Sequence, residues 1–151
     1  MYSAAKYKQL RQLSERRKSV ADRRLLHLRR GRNALAIERS RLQETIDLLT
    51  QSVSMDALDG RVTDRAALFD WLRKGATLRH RTQLLHVDLA QSDEKLADLD
   101  RCIGAQWGAC RVLDERQKRY AEAQKKACAR ERLVQMNIEE VELEDRKSWS
   151  T

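Results

Sequence analysis

Beginning at Leu78 and moving alternately by four and three residues, the chain offers Leu78, Thr82, Leu85, Leu89, Ser92, Leu96, Leu99, Ile103, Gln106, Cys110, Leu113, Gln117, Tyr120, Gln124, Ala127, Glu131, Val134, Ile138 and Val141. Most of these positions are apolar, and the residues between them are mostly charged or small. A seven-residue apolar repeat kept up this long describes a helix that buries one narrow seam against another helix. The polar positions Gln106, Gln117, Gln124 and Glu131 read as a seam that loosens towards its C-terminal end.

Upstream, residues 2–58 contain no helix breaker except Gly31, and the whole chain contains no proline to remove a backbone donor. Tyr7, Leu10, Leu13, Val20, Ala21, Leu25, Leu28, Leu35, Leu42, Ile46, Leu49 and Val53 form a second helical stripe, with Ala21, Leu28, Leu35, Leu42 and Leu49 seven apart. Between the two stripes the period breaks at Asp56, Asp59 and Gly60, where Thr63 can cap the next helix with Asp64 in its first turn. The spacing predicts an all-α chain forming a single domain, residues 1–151. It consists of two long helices, about 2–58 and about 64–146, in an antiparallel coiled-coil hairpin with a turn at about 59–63. Charged residues at 36% and aromatics at 5% suit a thin seam better than a thick core. Counting outward from the turn, residue i of the first helix faces about residue 120 − i of the second, so about 25 residues of the second helix overhang beyond Tyr120.

The net charge of +8 and pI near 9.8 predict attraction to an acidic surface. Residues 11–32 carry Arg11, Arg16, Arg17, Lys18, Arg23, Arg24, Arg29, Arg30 and Arg32 against only Glu15 and Asp22. Like charges at neighbouring helical positions repel, so this cluster points to an acidic macromolecular partner. Nucleic acid fits less well than an acidic protein, because no aromatic side chain is interleaved there for base stacking. The overhang is expected to be bare and positively charged, and the acidic stretch 139–145 to be a solubilising tail that frays.

Near the turn, Phe69 and Trp71 cannot both face the seam, so one aromatic is expected at the surface as a partner anchor. Gly104 and Gly108 suggest close packing of the helices or local weakness, and Trp107 a cation–π contact with the basic cluster. Cys102, Cys110 and Cys128 lie too far apart on one helix for a disulfide and read as reduced thiols of a cytoplasmic protein. No apolar run approaches the ~20 residues that cross a bilayer, and the N-terminus lacks the apolar core of a secretory signal. His27, His80 and His86 have no metal-ligand spacing, and there is neither a phosphate-binding glycine loop nor a nucleophile elbow. Neither a cofactor nor an enzymatic activity is expected.

Residues 63–74 (TDRAALFDWLRK), with Glu94-Lys95-Leu96-Ala97-Asp98-Leu99 and Arg116-Gln117-Lys118-Arg119-Tyr120 downstream, resemble the central stalk proteins of type III secretion systems, the YscO/InvI family and its flagellar counterpart FliJ. The resemblance implies a partner in the hexameric secretion ATPase, whose central channel receives the end carrying both termini. It implies a second partner in the nonameric cytoplasmic ring of the export gate, reached by the turn end, and a link to secretion chaperones. On this sequence Arg11, Arg16, Arg17, Lys18, Arg23, Arg24, Arg116, Lys118, Arg119, Lys125, Lys126, Arg130 and Arg132 would face an acidic channel lining. Phe69, Trp71, Leu72 and Arg73 would meet the export gate. Without the resemblance, the same residues also allow a nucleic-acid-binding coiled coil or a generic coiled-coil scaffold.

Overall fold

The computed structural model describes residues 2–55 and 64–149. They form two helices packed as an all-α hairpin: α1, Ala4–Met55, and α2, Arg65–Trp149. The expected turn at 59–63, with Thr63 as cap, lies outside the described residues. Asp64 directly precedes α2 and its carbonyl accepts the amide of Leu68 at 3.0 Å, so Asp64 stands where a cap stands rather than in the first turn. At the start of α1, the Ser3 hydroxyl accepts the Lys6 amide at 3.5 Å and the Ser3 carbonyl the Tyr7 amide at 3.2 Å.

The chain divides into two compact units, one made of Met1–Leu25 with Ala105–Thr151 and one of Leu26–Gly104. In the first, α2 covers Gln106, Cys110, Leu113, Gln117, Tyr120, Gln124 and Ala127, and α1 covers Ala4, Tyr7, Ser14, Lys18, Ala21 and Leu25. In the second, the covered positions of α2 run Trp71, Gly75, Leu78, Thr82, Leu85, Leu89, Ser92, Leu96, Leu99 and Ile103. Those of α1 include Leu28, Leu35, Leu42, Ile46, Leu49 and Val53. From Leu78 to Ala127 the four-three pattern of α2 therefore coincides with burial. Ile46, 3% exposed, is the most deeply covered apolar side chain, and no described large side chain is fully enclosed. The core is one layer thick, as a two-helix seam requires.

Ion pairs across the seam set the register. In the first unit Lys18 bonds Asp114; in the second Arg32 Nε lies 3.1 Å and Arg39 Nε 2.6 Å from Asp100 and Asp93. In each unit residue i of α1 is thus level with about residue 132 − i of α2, twelve residues from the spacing counted outward from the turn. Two consequences follow. Residues 65–76 of α2 have no counterpart among the described residues of α1, and pairing at the other end continues past Tyr120 to Glu131.

Glu131 marks that end. Its Oε1 accepts the amide of Ala4 at 2.8 Å, which places a carboxylate on the positive N-terminus of α1. Gln106 Nε2 donates to the Ala21 carbonyl at 3.1 Å, and Gln117 Nε2 to Glu15 Oε1 at 3.3 Å. Gln106, Gln117 and Glu131 thus cross-link the helices instead of loosening the seam. Beyond Glu131 every described residue of α2 is exposed, an overhang of about five turns. It stays helical through Trp149, with Arg146 and Lys147 in the last turn where cations suit the helix dipole.

Candidate functional site

The register gathers the basic residues. Residues 2–25 and 105–131, the paired part of the first unit, hold fifteen Lys and Arg against six Asp and Glu, a balance of +9. Residues 26–104 balance at +1 and the overhang, 132–149, at −2, so the net charge of +8 resides in the paired part. The expectation of a positive overhang is therefore corrected: Glu139, Glu140, Glu142, Glu144 and Asp145 outnumber Arg132, Arg146 and Lys147.

All thirteen residues expected to face an acidic channel fall in this unit. Arg16, Arg17, Arg23 and Arg24 are exposed and in no ion pair among the described residues. Their seven-residue spacing stacks Arg16 over Arg23 and Arg17 over Arg24, outside the column of Ser14 and Ala21 that enters the seam. On α2, Lys118, Lys125 and Arg132 form one such column and Arg119 and Lys126 the next, again off the seam. Arg116 and Arg130 are exposed as well. The positive charge thus faces outward from both helices, an arrangement suited to a partner that surrounds the pair. Lys8, also exposed, belongs to the same surface, although it lies before the dense run of basic residues that begins at Arg11.

Arg11, Lys18 and Lys118 of the thirteen form ion pairs within the chain. Arg11 Nε pairs with Glu15 at 3.1 Å. Lys18 is half-buried in the seam, where the hydrogen bond to Asp114 raises its pKa above the ordinary lysine value and lowers that of Asp114 below the usual carboxylate value. Lys118 Nζ lies 3.6 Å from the same carboxylate.

The four residues expected at the export gate lie in the other unit, on the stretch of α2 without a counterpart in α1. Phe69 is 54% and Leu72 49% exposed, Arg73 is exposed, and Trp71 is half-buried. The Arg65 guanidinium sits 5.7 Å from the Phe69 ring centroid. Trp107 finds its cation on its own helix, Arg111 at 5.0 Å, rather than in the cluster of α1. A Cβ added at Gly104 or Gly108 would meet nothing within 4 Å, so neither glycine serves close packing. Cys102 is exposed, Cys110 buried and Cys128 half-buried, and none of the three forms a disulfide. Among the described residues no group of three or more His, Cys, Asp or Glu could hold a metal ion, and no described helix is long and apolar enough to cross a membrane.

These features define a two-helix coiled-coil protein with one strongly basic unit. The chain belongs to the family described as Salmonella surface presentation of antigen gene type M protein, whose model matches residues 5–147. That makes it a structural component of a type III protein secretion system, with its partners inside that apparatus. Neither the curated proteins nor the solved structures gave a match.

Proposed function

We propose that the chain is the non-enzymatic stalk of a type III secretion apparatus, bound at the cytoplasmic face by the hexameric secretion ATPase and coupling it to the export gate. The observation that carries this reading is the concentration of the chain's net charge on the outward faces of residues 2–25 and 105–131. An acidic channel lining would surround that surface and be attracted to it from every side. Phe69, Trp71, Leu72 and Arg73 supply the export-gate contact, an aromatic and apolar patch in which Phe69 and Leu72 are exposed and Trp71 is half-buried. A single asymmetric hairpin inside a ring of identical subunits meets each subunit differently, and favours different subunit states by differential binding.

The test reverses Arg16, Arg17, Arg23 and Arg24 together to Glu and measures ATP hydrolysis by the ring. These side chains are exposed and outside the seam, so helicity should stay intact while stimulation of the ATPase is lost. Full stimulation by the helical variant would remove the channel assignment.

A further inference from the structure

The seam of α2 does not stop where α1 stops. Past Glu131 the four-three phase continues through Val134, Ile138 and Val141, which are 58%, 48% and 57% exposed. These are the positions that would be covered if α1 were longer by about three turns. At the junction, where the cover by α1 ends, a groove is lined by Tyr2, Tyr7, Lys126, Ala127, Arg130 and Glu131.

The residues beside the stripe identify its occupant. At its Val141 end, Glu142 and Glu144 fall on its two edges, the positions that choose a partner by charge in a coiled coil, with Glu139 and Glu140 next to them, while the neutral Gln135 and Asn137 edge it between Val134 and Ile138. A second copy aligned so that the two acidic stretches overlap would set acidic edge against acidic edge. Nucleic acid and anionic lipid are repelled by the same groups. Elsewhere in the first unit the matching face is already occupied by α1.

We propose that residues 134–149 are the docking site for a helix of another protein, one with an apolar seam edged by Lys or Arg, which extends the α1–α2 seam end to end. This goes beyond the ATPase reading, since it uses an acidic surface separate from the basic one. Coiled-coil pairing supplies affinity through Val134, Ile138 and Val141, and the carboxylates supply selectivity.

Two fluorescein-labelled helical peptides test it against the full chain. Both carry Leu at the seam positions over three heptads, one with Lys and the other with Glu at the edges. The Lys peptide should bind at low salt and the Glu peptide should not. Ile138→Ser with Val141→Ser should weaken the Lys peptide by about tenfold or more. Glu142→Gln with Glu144→Gln, a helix-compatible change, should weaken it too and flatten its salt dependence. Equal binding of both peptides would overturn the proposal, as would Lys-peptide affinity unchanged by either pair of substitutions. So would a dimer of the chain in sedimentation that Ile138→Ser and Val141→Ser dissolve, because the occupant would then be a second copy. Arg16, Arg17, Arg23 and Arg24 reversed to Glu should leave peptide binding intact, which separates this outcome from that of the ATPase experiment.

Discussion

Lys18 of α1 donates a hydrogen bond to the carboxylate of Asp114 on α2, and it does so from within the seam, in phase with Ser14, Ala21 and Leu25. A charged residue at a seam position specifies register, because sliding the helices would strand its ammonium among apolar side chains. Arg32 with Asp100 and Arg39 with Asp93 repeat the device in the second unit.

The pair makes stability depend on pH at both ends of the scale. Its hydrogen bond to Lys18 holds the Asp114 pKa below the ordinary 3.8, so this contribution is present above that value and lost as pH falls through the lowered one. Lys18 is raised above 10.5 by the same bond, so its contribution is present below 10.5 and lost as pH rises through the raised value. Asp114→Asn should therefore lower Tm at neutral pH, and the gap to the unsubstituted chain should close in strong acid and in strong base. Thermal circular dichroism across that range measures it; a gap constant with pH would mean that the pair does not stabilise the fold.

Burial separates two neighbouring apolar residues. Ile46 is 3% exposed and Leu48 64%. Ile46→Ala should destabilise by about 2 kcal/mol or more, and Leu48→Ala by less than about 0.5 kcal/mol. Chemical denaturation of the two variants reads the contrast, and equal effects would contradict the seam as described.

Gly104 and Gly108 lie in helix with open space around them. Replacing each by Ala should stabilise by roughly 0.5–1 kcal/mol, since the helix gains propensity and meets no obstruction. A fall in Tm for the double variant would show that the small side chains are needed for a contact.

The α2 seam was legible because a seven-residue repeat needs only one helix to be seen. The α1 seam was less so. Leu13 and Val20, counted into its stripe, are 52% and 65% exposed, while Lys18, Arg32 and Arg39 take covered positions. Apolarity alone misassigns such a helix, because a basic residue with an acidic partner across the seam fills a seam position as well as leucine does. The register was illegible for a related reason. Counting from a turn presumes that pairing starts there, whereas the ion pairs place residues 65–76 of α2 beyond the described end of α1. The basic residues of the candidate site were visible individually. Their gathering into the paired part of one unit depends on that register, whereas the acidic character of the overhang follows from counting its charges.

Hydrogen exchange with and without the secretion ATPase tests the central claim most directly. Binding through the outward basic faces should slow exchange of backbone amides in residues 6–24 and 116–130 while leaving residues 65–76 unchanged. Protection confined to residues 65–76, or none in residues 6–24 and 116–130 under conditions where the complex is formed, would contradict the account.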